Sequence, residues 1–293
     1  MNEKNSKKDN NIYCSQNWPP VSGRYYLGNP NSAVAVCTLS SIDLLEKFNE
    51  PQYLEKVAIV GKIVTENIGV EKIVQNVISN PNIRYLLLCG KESEGHYVGQ
   101  AIKALVLNGV HEGRIVGARG PMPIVKNLNK EEIETFRRQI EIVDLIGCMN
   151  IDKILHFIDE CNKNKPKPFR SRVQLSRVET IEADYDPEQQ FTADKQKDKG
   201  WFAISINRPK KQIVVDYYIG YGINSKLHAR IIGTSAESIA GTAVRRKFVT
   251  KLYHAAYLGK ELKKAEIALK NGLPYEQESE LDFSKLNLDK SIG

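Results

Sequence analysis

From residue 33 to residue 161, short apolar runs alternate with stretches in which apolar residues recur every three or four positions. The runs 33–39, 57–63, 85–89, 114–117 and 141–146 have strand length. The run 33–39 is nearly continuous in small apolar residues, the pattern of a strand covered on both faces, and 57–63 is broken by Gly61. Between the runs, 44–48, 70–78, 101–106, 131–140 and 151–161 carry the helical period. Asn80-Pro81 stops the second of these helices, Gly109 ends the third, and Asn129 is placed to cap the fourth. Strands and helices in alternation predict an α/β domain, a doubly wound, Rossmann-like parallel sheet of about five strands. Right-handed crossovers would then gather the polar strand-to-helix loops on one edge of that sheet.

Past residue 161 the pattern changes. The segment NKNKPKP (162–168) is charged, holds two prolines and lacks an apolar period, so it reads as a linker. Beyond it a second, smaller α+β domain is expected. Its strands are 173–181, 201–207 and 212–219, the last two joined by a hairpin turn at Arg208-Pro209-Lys210-Lys211. Residues 185–199 read as a polar loop. Thr234 and Glu237 have capping-box spacing and open a helix to about Gly259, with Ile239, Ala243, Phe248, Leu252 and Ala255 inward. A further helix, 260–270, would end at Asn271-Gly272. The expected organisation is a disordered tail (1–16), a first domain (17–161), the linker (162–169) and the second domain (170–293).

Composition narrows the class. No apolar run reaches the length of a membrane span, and the polar N-terminus MNEKNSKKDNN lacks a signal peptide's apolar core. Five scattered cysteines without a Cys-x-x-Cys pair argue against a zinc site or a disulfide framework and for reduced thiols in the cytoplasm. Of the net charge of +7, residues 1–150 carry only +1 and residues 151–293 carry +6. A basic second half could attract nucleic acid, an anionic ligand or an acidic partner, but a solvated basic surface is the simpler reading.

The chemistry gathers in RYLLLCGKESEGHYVGQ (84–100). His96 lies between Gly95 and Gly99, in the loop that leads from the strand 85–89 to the next helix, where ligands bind in open α/β sheets. Glu94-Gly95-His96-Tyr97-Val98-Gly99 has the form acid-x-His-x-x-Gly. A metal-bound histidine usually presents its second ring nitrogen to an acceptor, often a carboxylate, and Glu94 is the expected partner. The ordinary alternative is a glycine-flanked surface histidine. TENIG (65–69) is a second polar loop on the same predicted edge, and GARGPMP (117–123) a third. Neither is a phosphate-loop pattern. His111, His156, His228 and His254 read as structural or exposed.

The spacing is similar to the Asp-x-His-x-x-Gly signature of cobalamin-dependent proteins, with Glu for Asp. Over residues 17–160 the chain also resembles the A subunit of tetrahydromethanopterin S-methyltransferase. The matching stretches are Trp18-Pro19, Gly28-Asn29-Pro30, TENIGVEKIV (65–74), NPNIRYLLLCG (80–90), GHYVGQ (95–100), NGV (108–110), IVGARGPMP (115–123) and QIEIVDLI (139–146). The resemblance implies a domain that holds a cobamide, a cobalt corrinoid, with His96 as axial ligand of cobalt and Glu94 tuning it. It implies that Thr65, Glu66, Asn67 and Gly69, then Gly90, Gly95, Gly99 and Gln100, then Gly117, Ala118, Gly120 and Pro123 contact the corrinoid. It further implies methyl transfer from a methyl-tetrahydropterin or folate to a thiol such as coenzyme M, with other methyltransferase subunits as partners. Members of that family usually carry a membrane anchor, for which this sequence shows no span; a soluble cytoplasmic carrier is therefore expected. Residues 170–293 resemble an appended domain of unknown function. The alternatives are a binding or regulatory module that has kept the fold without methyl transfer, and a methyltransferase of nucleotides or nucleic acid. The last rests on the appended domain and its charge, with the basic cluster Arg245-Arg246-Lys247, and no nucleic-acid motif is visible.

Overall fold

The computed structural model describes residues 18–170, 175–176, 179–183 and 200–285. It divides after Ser176 into two units. The expected tail 1–16, the loop 185–199 and most of the amino-terminal half of the expected strand 173–181 lie outside the described residues.

In the first unit a five-stranded sheet is built from β1 (Tyr25–Leu27), β2 (Val34–Cys37), β3 (Ile59–Gly61), β4 (Tyr85–Gly90) and, later in the chain, β7 (Glu141–Ile146). The order is β1-β3-β2-β4-β7. Strands β3, β2, β4 and β7 are parallel, and β1 pairs antiparallel with β3 at the edge. The order of the parallel strands reverses between β2 and β4, the switch point of a doubly wound sheet. Helices α1 (Ile42–Lys47) and α6 (Ile151–Lys163) cover one face, burying Leu44, Leu45, Phe48, Ile154 and Ile158. Helices α3 (Ile68–Ile78), α4 (Val98–Asn108) and α5 (Lys130–Gln139) cover the other with Val70, Val74, Ile102, Leu105 and Phe136. Two covered faces explain why the central strands read as unbroken apolar runs. A short α2 (Pro51–Leu54), with proline at its start, was not visible in the pattern.

One expected sheet strand is corrected. Residues 114–117 do not enter the main sheet: β6 (Arg114–Ile115) folds back on β5 (Val110–His111) as a two-stranded hairpin. Glu112 and Gly113, at φ 49° and 78°, make the tight turn, a pair of positive dihedrals suited to a two-residue hairpin loop. The edge strand β1 makes up the fifth member of the main sheet.

The expected Asn129 cap is present. Its side chain accepts from Glu132 N, and the Glu132 carboxylate accepts from Asn129 N, completing a capping box on α5. The Glu132 carboxylate also accepts from Ser176 N and Oγ. The proline-rich segment after α6 is fastened to the first unit as well. Phe169 N donates to Pro81 O, and Arg84 donates to Lys167 O while lying 5.5 Å over the Phe169 ring.

The second unit is a four-stranded sheet, β8-β11-β10-β9, from β8 (Glu179–Glu182), β9 (Gly200–Asn207), β10 (Gln212–Ile219) and β11 (Lys226–Gly233). Strands β9, β10 and β11 are antiparallel neighbours, and β8 joins parallel to β11. Helices α7 (Ala236–Arg245) and α8 (Leu252–Asn271) pack on one face through Ile239, Ala243, Leu258 and Leu262. Strand β11 was not expected, because Lys226, His228 and Arg230 break its apolar run. The structure accounts for Arg230, which pairs with Asp216 directly across β10.

The helix boundaries are also corrected. The chain breaks at 246–251, where Lys247 takes φ 55°, and runs unbroken through Gly259. Phe248 turns inward at the break, and Leu252, expected inward, is 68% exposed. The cap of α7 is Ser235, accepting from Ser238 N, rather than a Thr234–Glu237 box. Glu266 of α8 supplies the other acceptor, taking Ala236 N at 3.2 Å.

Glu266 also accepts from Lys270 and Lys263. The Lys270 bond leads in holding its carboxyl below its ordinary value of 4.5. A depressed folded-state pKa contributes stability above pH 4.5 that is lost as pH falls through the lower, folded value. Glu266→Gln is therefore expected to lower the Tm of the second unit at neutral pH and to flatten its loss below pH 4.5, read by thermal melts across pH 3–7. A parallel acid limb in both proteins would refute the linkage.

No helix among the described residues is long and apolar enough to cross a membrane.

Candidate functional site

The loops that leave β3 and β4 lie on the same sheet edge, with β2 between the two strands. Each loop is set by its own polar residues. After β3, Asn67 caps α3 by accepting from Ile68 N at 2.7 Å, and Thr65 Oγ1 accepts from Gly69 N at 3.3 Å. After β4, the turn at 93–97 closes as Ser93 O accepts from His96 N and Tyr97 N.

These loops bring Glu66 and His96 together. Glu66 Oε2 lies 2.6 Å from His96 Nδ1, and Glu66 Oε1 accepts from Met122 N at 2.7 Å. The Glu66 side chain is 1% exposed and the His96 side chain 42%. A buried carboxylate thus holds one ring nitrogen, and among the described residues no partner meets Nε2. With the imidazole neutral, the proton sits on Nδ1 facing the carboxylate and Nε2 keeps its lone pair. A carboxylate on one ring nitrogen is a pairing common to metal-bound histidines, and here it leaves Nε2 open.

The third loop closes the site. Gln100 donates from Nε2 to Gly117 O at 2.8 Å and accepts at Oε1 from Arg119 N at 2.9 Å. Gly120 is pressed against the pair: a Cβ there would lie 2.5 Å from His96 O and 2.7 Å from Glu66 Cγ. Gly120→Ala is accordingly expected to push the loop off the carboxylate and cost about 1–3 kcal/mol. Chemical denaturation checks this, and a change under about 0.5 kcal/mol, the ordinary range of a surface substitution, would contradict the contact.

The residues singled out in the sequence separate into two groups. Glu66, His96, Gln100, Gly117 and Gly120 converge, and Gly95, at φ 77°, shapes the turn before His96. Ala118 is half-buried and Pro123 buried on the same third loop. Thr65, Asn67 and Gly69 instead build the start of α3, with Gly69 packed on Ile63. Gly90 faces Thr38 and Ser41 at the end of β2, and Gly99 faces Ile146 and Leu39. Glu94 is exposed, and the carboxylate that meets His96 is Glu66, thirty residues earlier. Proximity in sequence pointed to Glu94, whereas the sheet places the loops after β3 and β4 side by side. The Met122 amide was not foreseen, because a backbone donor leaves no mark in a sequence.

Among the described residues, no three His, Cys, Asp or Glu side chains converge as a metal-binding group. Cys37 and Cys89 are buried thiols. Burial pushes the first up to about 12 and the second well above its ordinary value, which keeps both protonated at neutral pH.

The sequence profile of the family described as the A subunit of tetrahydromethanopterin S-methyltransferase matches residues 11–184, and that of the PterinBD-DUF4346 family matches residues 196–278. The tetrahydromethanopterin S-methyltransferase A subunit of Methanocaldococcus jannaschii is 50% identical over 151 residues, 51% of this chain and 61% of that protein's length. Its counterpart in Methanosphaera stadtmanae is 39% identical over 182 residues, 61% of this chain and 69% of the relative. The A subunit of the putative methyltransferase Mtx of Methanosarcina acetivorans is 45% identical over 147 residues, 50% of this chain and 71% of the relative.

Proposed function

This chain belongs to the family of tetrahydromethanopterin S-methyltransferase A subunits, and on that footing we propose that it is a corrinoid-carrying component of a methyltransferase. The observation that carries the proposal is the pairing of His96 with buried Glu66. A single oriented imidazole with a free Nε2 suits a group that brings its own macrocyclic ligands and needs one axial donor from the protein. A free metal ion would need several.

His96 would hold the corrinoid through Nε2. Val64, Tyr97 and Val116 lie in or beside the three loops and expose apolar surface, 37%, 44% and 43% respectively, suited to covering a large planar ligand. A bound corrinoid supplies a cobalt centre that accepts and releases a methyl group. The protein's own part is electrostatic and geometric. Glu66 fixes the tautomer and orientation of His96. The same carboxylate anchors the 117–123 loop through Met122 N, so ligand and wall share one support. We further propose a methyl-tetrahydropterin or folate as donor and a thiol such as coenzyme M as acceptor. The pterin reference in the name of the family matching the second unit supports that donor class. Partner subunits would deliver and remove the methyl group.

The test is uptake of a cobamide by the apo protein, followed by co-elution in gel filtration and the visible spectrum, for the wild type and His96→Ala. Co-elution with a His96-dependent spectral shift is expected. Absence of uptake at micromolar cobamide would overturn the proposal in favour of a module that keeps the fold for another ligand.

A further inference from the structure

The amino terminus of α4 lies at the switch point between β2 and β4, where related sheets place a phosphate against backbone N–H groups. Here that place is already filled. Glu92 Oε1 accepts from Ser93 N at 3.0 Å and Gly99 N at 2.9 Å, and Oε2 accepts from Gln100 N at 3.1 Å. Gly99 and Gln100 are the second and third residues of α4, whose N–H groups have no partner within the helix. Tyr97, at the cap position with φ 49°, makes no side-chain cap bond, and the first turn holds no acidic residue. Glu92 is thus the carboxylate that meets this helix end.

The surroundings are built to fit it. A Cβ on Gly99 would lie 3.0 Å from Glu92 Oε2 and 2.7 Å from Ile146 Cδ1. The backbone on either side is pinned to the loop after β2: Ser40 N and Oγ donate to Lys91 O, and Lys91 N donates to Ser41 Oγ. These bonds draw the β2 and β4 loops together across the switch point. The Glu66–His96 pair lies beyond them, held by the loops after β3 and β4.

We infer that Glu92 is a built-in anion that takes the phosphate position of this sheet, holding the 93–97 turn and with it His96, and shutting phosphate-bearing ligands such as nucleotides out of the switch point. In this reading Glu92 is a positioning residue. Its effect on His96 rests on the corrinoid proposal above, whereas its occupation of the helix end does not.

The experiment compares wild type, Glu92→Ala and Glu92→Gln in two readouts. The first is the Tm of the apo protein against inorganic phosphate or formate, with sodium chloride at matched ionic strength as control. Alanine exposes the three N–H groups, so phosphate and formate should raise the Tm of Glu92→Ala and leave the wild type unchanged. The amide of Glu92→Gln fills the space and places an NH2 against a backbone donor. That variant should melt lower and gain nothing from either anion. The second readout is cobamide titration. Both variants should bind about tenfold more weakly, and formate should restore the His96-dependent spectrum of the alanine variant alone.

A folded Glu92→Ala protein whose Tm answers to phosphate and formate no more than to chloride would overturn the plug. Should that variant fold only with formate present, the plug is supported directly. Unchanged cobamide affinity and spectrum in Glu92→Gln would overturn the positioning role. If the wild type takes up no cobamide, the corrinoid proposal falls and the apo melts still decide whether Glu92 fills the helix end.

Discussion

Glu66→Gln is expected to weaken cobamide binding by about 10- to 100-fold while leaving the sheet intact. Glu66 spends both oxygens on donors, His96 Nδ1 and Met122 N. Glutamine keeps the shape but offers one acceptor and one NH2. If its oxygen stays on Met122 N, the NH2 faces Nδ1, the imidazole proton moves to Nε2, and the ligating lone pair is lost. If the oxygen turns to His96, the NH2 opposes the Met122 N–H and the 117–123 loop loses its anchor. Either arrangement leaves a buried group badly paired, at about 1–3 kcal/mol of stability. The check is a pair of measurements, the cobamide titration and the apo-protein Tm. A purely structural Glu66 would lower the Tm and leave the His96-dependent spectrum alone, whereas the tautomer argument requires both to move.

The second large effect lies in the other unit. Asp216, 1% exposed, takes Arg230 Nε at 2.6 Å and Nη2 at 3.1 Å from the facing position of β11. Burial alone would lower the Arg230 pKa, but Asp216 more than offsets it and raises the value. Asp216→Asn leaves that guanidinium, largely buried, with a single neutral acceptor. Removing one member of a buried pair costs about 3–5 kcal/mol, and the partial exposure of Arg230 places this case near the lower end. Replacing both partners together, Asp216→Leu with Arg230→Met, should recover most of the loss, since neither charge then remains unpaired. Calorimetry should show the transition of the second unit moving and that of the first staying in place. A single-variant change under about 0.5 kcal/mol, no larger than a surface substitution gives, would show that the pair carries no such weight.

What the sequence disclosed follows from how each element is stabilised. Strands β2, β3 and β4 are largely buried, so their apolar runs announced them, and the helices over them kept their period for the same reason; β7, half-exposed at the sheet edge, showed itself through Ile142, Val143, Leu145 and Ile146. The Asn129 cap is a local device and was legible locally; the reciprocal bond from Glu132 that completes the box was added by the structure. Residues 114–117 looked like a sheet strand because Ile115 and Val116 are apolar. The pairing that claims β6 is a two-residue turn at Glu112-Gly113, which the apolar pattern does not register. Strand β11 stayed hidden because Lys226, His228 and Arg230 break its apolar run, and the aspartate that pairs with Arg230 lies on another strand. The helix break was placed at Gly259 on propensity, yet that glycine faces open space within α8, and Phe248 packing inward sets the true break. The candidate site shows the same division. His96 stood out by its glycines and its place after a strand. Its carboxylate partner did not, because Glu66 reaches it only through the order of strands in the sheet. Glu92 passed unremarked for a related reason: its partners are backbone amides.

The central claim is that His96 offers Nε2 to the cobalt of a cobamide. The most direct test is electron paramagnetic resonance of the cobamide-loaded protein, with cobalt in its paramagnetic divalent state and histidine labelled with nitrogen-15. Axial ligation by His96 predicts that each cobalt line, split into three by ordinary nitrogen, is split into two by the label. The splitting should vanish or revert to that of the free cobamide in His96→Ala. A three-fold splitting that persists in the labelled protein would mean that the axial nitrogen belongs to the cobamide itself, and the account of His96 and Glu66 given above would be wrong.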